Sequence, residues 1–565
     1  MSTKLIIIGG VAGGATAAAR ARRLDERAEI ILFERGEYIS FANCGLPYYI
    51  GQVIKDRDDL FVTTPKDFRD RYNIDIRISA EVLNIDRKGK QVEVQDLITG
   101  KRYSESYDKI ILSPGAEPVR PPFCDPGMDG VLSLRTVPDS DRIKAYVDSR
   151  RARSAVVVGG GYIGLEMAEN LVHRGVTTII VEMLDQVMAP LDHEMAAILH
   201  AHLKEKGVIC ELENQVKSLS RKADGIVVST GRGKDIECDL VVVSAGIRPE
   251  NRLAREAGLE IGDQGAILVD PTMRTSDPDI YAVGDAVEVR DFVTGQPTVT
   301  ALAGPANKQG RIAADNALGR RSVFKGTLGT TVVKVFDLTV AATGATEKVL
   351  KQHKIPHLVT YTHSGSHASY YPGATIMTLK LLFSPGSGKI LGGQIIGMDG
   401  VDKRIDVLAT AIRGGMTVYD LEELELAYAP PYSSAKDPVN VAGFVAANIL
   451  KGDLDTINWI DMGTLDREKD VLLDLRNKDE LEVSGAIEGA LHIPLTELRE
   501  KLPELDKEKN YVPFCAVGMR SYIGHRILVQ NGFASRSLSG GYRTYLGARE
   551  KIMKEPPETR LWLSE

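Results

Sequence analysis

Five cysteines, at 44, 124, 210, 238 and 515, carry the sharpest chemical potential in this chain. Their odd number, with no CxxC pair and no zinc-spaced histidine, reads as free thiols rather than a disulfide framework or a metal site. A free thiol does chemistry where its surroundings favour the thiolate, which attacks disulfide or persulfide sulfur. Cys124, Cys210 and Cys238 lie in ordinary apolar or strand-like contexts and read as inert small hydrophobes. Cys44 lies in Ser40-Phe-Ala-Asn-Cys-Gly-Leu-Pro-Tyr-Tyr49, ten residues beyond Glu34. The position five after it is Tyr49, so Cys44 has no second cysteine within its own segment. Local amides and any helix N-terminus are the groups able to lower its pKa. Cys515 opens Cys515-Ala-Val-Gly-Met-Arg-Ser521, between the apolar run Tyr511-Val-Pro-Phe514 and a helical pattern. A loop of this kind aims backbone N–H groups at the sulfur as an anion cradle, with Arg520 adding charge.

These thiols need elements to hold them. Residues 4–36 read strand, glycine turn, helix, strand: Lys4–Ile8, then Gly9 to Gly14, an Ala/Arg-rich helix, and Ile30–Glu34. The order returns at 154–182, with Ala155–Val158, then Gly159-Gly-Gly161-Tyr-Ile-Gly164, a helix, and Thr178–Glu182. Each is a βαβ unit in which glycines permit a tight turn and close approach to a pyrophosphate, while the helix N-terminus favours its charge. Glu182 is placed to accept from a ribose 2'-hydroxyl and to repel a 2'-phosphate, which favours NADH over NADPH. In the first turn Val11 stands at the middle glycine position; Glu34 restores the reading, and Asp277–Asp285 supplies a late strand whose Asp285 returns to the first nucleotide. Two dinucleotide sites, one of them split, point to a flavin held permanently and a nicotinamide that visits.

The expected organisation is α/β. Two Rossmann-like dinucleotide-binding domains are read, a discontinuous FAD domain at 1–150 and 251–325 and an NAD(H) domain at 151–250. An α+β segment at 326–450 and a C-terminal α/β domain at 457–565 follow. His363 and His367 lie four apart, but Gly365 and the strand-like context argue against a helix-face metal pair, and no metal is expected. At 565 residues, 43% apolar and 26% charged, the chain is long enough for three or four cores. The net charge of -7 has no basic footprint for a nucleic acid. With no long apolar run and no secretory pattern after Met1, a soluble cytoplasmic protein without a membrane partner is expected.

The Cys44 segment closely resembles the single-cysteine motif of coenzyme A disulfide reductases, members of the pyridine nucleotide-disulfide reductase superfamily, and the likeness covers roughly residues 1–450. The Cys515 loop, with Leu473-Asp-Leu-Arg476 and Gly485–Pro494, resembles rhodanese domains over about residues 460–565. The first resemblance implies bound FAD, coenzyme A contacts from Thr16, Arg20, Arg23, Ser40 and Asn43, and a basic contact from Arg71 or Arg69. It also implies a dimerisation role for 326–450 and a homodimer in which Tyr370 and Tyr428 reach Cys44 of the partner and Lys436 crosses toward coenzyme A. The second implies a persulfide carried on Cys515. Together they imply an NADH-driven, FAD-dependent reductase of coenzyme A persulfide or polysulfide, with coenzyme A disulfide a secondary substrate, releasing sulfide. The rivals are an NADH oxidase or peroxidase using Cys44 as a sulfenic acid, and a sulfur carrier or redox sensor centred on Cys515.

Overall fold

Ten short strands build the nucleotide-binding half of the chain: Lys4–Ile8 (β1), Glu29–Phe33 (β2), Asp75–Arg77 (β3), Lys109–Leu112 (β4), Val131–Ser133 (β5), Ser154–Val158 (β6), Thr177–Val181 (β7), Ile209–Glu211 (β8), Leu240–Val243 (β9) and Ile280–Ala282 (β10). They form two parallel sheets, ordered β10-β4-β1-β2-β3 and β8-β7-β6-β9-β5. Strands of a parallel sheet covered on both faces are apolar on both, which is why Leu5, Ile6 and Ile7 and again Val156 and Val157 read as unbroken runs and are fully buried. β10 joins the first sheet beside β4, so the late segment does return to the first βαβ unit. The computed structural model describes residues 2–125, 127–149, 152–222 and 225–554. Residues 555–565 of the expected C-terminal domain, and 150 and 151 at the expected junction of the two nucleotide domains, lie outside them.

Helix Ala12–Leu24, which follows the first glycine turn, packs against Ala303–Ala317 through their backbones. A Cβ on Gly310 would strike the carbonyl oxygen of Gly13, so only glycine permits this crossing. Met1–Met188 with Leu203–Gly329 make one compact unit, and Ala189–His202 with Thr330–Glu565 make a second. Residues 189–202 thus group away from the rest of the expected 151–250 domain.

The second unit contains an antiparallel sheet of Thr331–Val335 (β11), Leu338–Gly344 (β12), Leu358–Gly365 (β13), Ile376–Phe383 (β14) and Ile390–Gly397 (β15), ordered β11-β12-β15-β14-β13. Helix Val401–Gly414 packs on β12 and β15, and helix Pro438–Leu450 on β13. A four-stranded parallel sheet follows, built from Asp470–Asp474 (β16), Leu491–His492 (β17), Asn510–Phe514 (β18) and Ala534–Ser535 (β19) in the order β17-β16-β18-β19. It separates two apolar clusters, one around Leu473, Leu498 and Leu528, the other around Val512, Phe514 and Leu538. Among the described residues no helix is long and apolar enough to cross a membrane.

Candidate active site

The two glycine turns share one geometry. Gly9 has φ +98° and Gly159 +104°, left-handed values that glycine adopts without strain. A Cβ at Gly14 would fall on the Gly9 carbonyl, and one at Gly164 on the Gly159 carbonyl, while Gly161 faces open space. Strands β2 and β7 end one residue before the acids expected to close them, and those carboxylates turn back onto the loops. Glu34 accepts from the Gly10 and Gly36 amides at 2.8 and 2.7 Å. Glu182 accepts from Gly160 and Leu184 at 2.7 and 2.9 Å. Neither following helix, Ala12–Leu24 nor Tyr162–His173, has a capping side chain or an acid in its first turn, which leaves the N-terminal amides for a phosphate. Both cradles therefore fit a dinucleotide: Gly9, Gly14 and Glu34 at the first, Gly159, Gly161, Gly164 and Glu182 at the second.

Asp285 lies just past β10, where the preceding Gly284 amide is held by the buried Gln309 carbonyl at 2.8 Å. Burial raises its carboxyl, opposed by Arg135. Cys44 sits in the 3-10 turn Asn43–Gly45 that leads into helix Leu46–Ile50, and it is exposed. Local amides act as expected only in part. Partial burial, then the charges of Glu166 and Asp285, push the thiol above its ordinary range, and backbone hydrogen bonding pulls the other way. Glu166 was not visible as a site residue from sequence, although it stands two positions after Gly164 on the second nucleotide helix. Burial and the neighbouring Glu169 bring it up to about 7. Tyr48 beside them is pushed up to about 12 by burial and the same two acids. The remaining cysteines behave as inert thiols: burial takes Cys210 up to about 11 and Cys238 up to about 12, and raises Cys124.

The residues expected to contact coenzyme A fall into two groups. Arg23, Asn43 and Arg71 are exposed, and Ser40 takes a left-handed φ of 47° with its amide bonded to the Gly10 carbonyl. Thr16 and Arg20 are engaged within the protein: Thr16 Oγ1 donates to Asn307 Oδ1 at 2.8 Å, and Arg20 Nε binds Asp315 at 2.7 Å. Arg20, expected at coenzyme A, is thus held by an ion pair to a residue on another helix. Arg69 donates to the Ile76 carbonyl.

Tyr370 and Tyr428, far apart in sequence, bring their hydroxyls to 2.7 Å, both exposed. Arg404, 1% exposed, fixes the two loops that carry them. Its guanidinium binds Asp437 and Ser433 on the Tyr428 side, each at 3.0 Å, and the Ser366 carbonyl on the Tyr370 side at 2.9 Å. Lys436 is exposed next to this anchor.

Cys515 follows β18 and is fully buried. The Gly518 amide donates to its Sγ at 3.1 Å from a backbone with φ +111°, which requires glycine. The loop is braced from outside by Tyr542 and Arg543, whose amides bond the Cys515 and Ala516 carbonyls at 2.8 and 3.0 Å. Arg520 forks onto Glu480 at 2.6 and 2.7 Å. His363 lies on β13, bonded to Thr378, Thr544 and the Gly540 carbonyl, and burial drops it to about 3. Asp192, Glu194 and Glu347 approach one another closely enough for a cation, but the ammonium of Lys380 sits among them, 2.9 Å from Asp192 and 2.6 Å from Glu347.

Residues 3–310 match the model of the pyridine nucleotide-disulphide oxidoreductase family. The chain belongs to that family. Its members use FAD and NAD(P)H, in keeping with the two cradles. Residues 330–438 match the dimerisation domain of these oxidoreductases, and residues 462–548 a rhodanese-like domain. Across 447 residues the oxidoreductase is 35% identical to coenzyme A disulfide reductase of Staphylococcus haemolyticus, covering 79% of this chain and all of that one. It is 35% identical over 442 residues to NADH oxidase of Methanocaldococcus jannaschii, covering 78% and 97%. The solved structure of reduced Bacillus anthracis CoADR-RHD is 48% identical with a TM-score of 0.95 over 98% of this chain and 99% of that one. A NAD-dependent persulfide reductase from A. fulgidus is 39% identical with a TM-score of 0.90 over 96% and 100%.

Proposed function

We propose that this oxidoreductase uses NADH to reduce coenzyme A persulfide or polysulfide, and secondarily coenzyme A disulfide, with Cys44 as the redox thiol and Cys515 as the sulfur carrier. The observation that carries the reading is that one chain has an exposed thiol under the charges of Glu166, on the second nucleotide helix, and Asp285, and a second thiol in an amide loop of a rhodanese-like domain. The names borne by the relatives support the substrate class.

Cys44 thiolate attacks the inner sulfur of the persulfide; a Cys44–coenzyme A disulfide forms, and the outer sulfur leaves as hydrosulfide. Two electrons and one proton then return Cys44 thiolate and free coenzyme A thiol. When bound, the flavin supplies those electrons, taken from the nicotinamide. Glu34 and Glu182 hold the two ribose ends, and the Glu182 carboxylate selects NADH by repelling a 2'-phosphate. Arg23, Asn43, Ser40 and Arg71 orient coenzyme A, with Thr16 and Arg20 buttressing their helix from its partners. In a homodimer, Tyr370 and Tyr428 of one protomer donate to the leaving sulfur at Cys44 of its partner, and Lys436 meets the phosphates.

The decisive experiment is NADH consumption by the purified protein with coenzyme A persulfide, coenzyme A disulfide or hydrogen peroxide, repeated for Cys44→Ser and Cys515→Ser. Persulfide-dependent turnover with sulfide release, lost in Cys44→Ser, supports the reductase. The exposed Cys44 and the likeness to an NADH oxidase favour one second reading, peroxide or oxygen reduction through a Cys44 sulfenic acid. Turnover with peroxide alone would put that reading first.

A further inference from the structure

We propose that Glu480 sets the donor specificity of the Cys515 loop: its carboxylate fills the guanidinium fork of Arg520 and so selects sulfane sulfur borne on an organic thiol over a doubly charged inorganic donor such as thiosulfate. The proposal rests on the reading of Cys515 as a sulfur carrier.

Arg520 is the cation of the loop, and its charge is already matched. Both terminal nitrogens fork onto the two Glu480 oxygens, the geometry in which a guanidinium binds a carboxylate most strongly. The Glu480 carboxylate is held in place independently of Arg520. It caps its own helix, Lys478–Ser484, by accepting from the Asn477 amide at 2.9 Å, and Ser484 Oγ ties back to the Glu480 carbonyl at 2.6 Å. Ser484 in turn accepts from Arg476, which is 1% exposed and locked onto Asp474.

The pair belongs to the same loop as the sulfur: Gly518, whose amide meets Cys515 Sγ, caps helix Met519–Gln530, and Arg520 stands in the first turn of that helix. Arg520 holds Glu480 down at about 2, so the carboxylate is ionised wherever the enzyme works. A dianion approaching Cys515 therefore meets a fixed negative charge and a cation with its fork already filled. A persulfide on an organic thiol presents a reacting sulfur that is neutral or singly charged. The two helices that carry the pair also expose Met519 and Val483, apolar side chains suited to a carbon-borne donor.

The transfer balances for either donor. Cys515 thiolate attacks the outer sulfur of R–S–SH; the Cys515 S–S bond forms, the carrier S–S bond breaks, and its electron pair leaves on the carrier thiolate. With thiosulfate the leaving group is sulfite. Cyanide as acceptor takes the outer sulfur as thiocyanate and restores the Cys515 thiolate.

The test is thiocyanate formation by the full-length protein from thiosulfate and from glutathione persulfide, with Cys515→Ser as the background. Glu480→Gln, which keeps a capping side chain, should raise the ratio of thiosulfate to persulfide turnover ~10-fold by freeing the Arg520 fork. Added salt should erode the gain, and Glu480→Gln/Arg520→Met should abolish it. Glu480→Asp, which retains the charge, should stay near the wild-type ratio, and matching melting curves show that each variant is folded. An unchanged ratio in folded Glu480→Gln, or a gain that survives loss of Arg520, overturns the proposal. Thiocyanate formation in Cys515→Ser equal to wild type instead removes the sulfur-carrier reading beneath it.

Discussion

Cys44 and Cys515 are the same atom in opposite settings. Cys44 is exposed at the surface, and partial burial, then the charges of Glu166 and Asp285, raise its pKa. Cys515 is fully buried, with a backbone amide on its sulfur. The contrast teaches what each thiol asks of its surroundings. A thiol that must exchange with a bulky substrate has to be open, and its reactivity is then governed by whatever docks against it. A thiol that must keep a labile sulfur has to be enclosed by donors built into the fold.

The sharpest way to break that division is Cys44→Ser, which should lower persulfide-dependent NADH oxidation ~1,000-fold or more while cyanide-dependent sulfur transfer at Cys515 continues. Loss of both would mean one shared path. Gly518→Ala forces a side chain into a left-handed backbone at a cost of about 1–3 kcal/mol and shifts the amide that meets the sulfur. Thiocyanate formation should fall ~100-fold, with NADH oxidation spared. Tyr428→Phe removes one hydroxyl of the tyrosine pair, and kcat with coenzyme A persulfide should drop ~10-fold or more with little change in the KM for NADH. A normal kcat would detach the pair from Cys44.

The smallest effect is the most specific. Ionised Glu166 disfavours the Cys44 thiolate, so Glu166→Gln should lower the thiol pKa and speed its alkylation by iodoacetamide. Because Glu166 itself titrates at about 7, the variant and wild type should react alike at pH 6 and diverge above neutrality, by roughly two- to five-fold at pH 8. Divergence already present at pH 6 would assign the shift to packing.

The glycine turns, the acids Glu34 and Glu182 that follow their strands, and the return of the strand before Asp285 to the first sheet were legible because each is written in contiguous residues whose spacing a strand-turn-helix imposes. What stayed hidden depends on pairings between distant segments. Arg20 meets Asp315, Arg404 gathers the two tyrosine loops, and Glu480 meets Arg520, and no local period encodes any of them. Lys380 is the clearest case. A single lysine in Thr375–Phe383 reads as the solvent face of a half-buried strand, yet β14 is covered on both sides and Lys380 is fully buried among three acids.

That buried lysine bears on how the enzyme's kinetics can be read. Lys380 and Tyr361 are shifted well above their ordinary ranges, while Glu347 falls to about 2 and His363 to about 3. These four groups, Lys380, Tyr361, Glu347 and His363, therefore exchange no protons near neutrality. A bend close to pH 7 in the rate profile does not come from these four, and Glu166, brought up to about 7, is the first residue to examine.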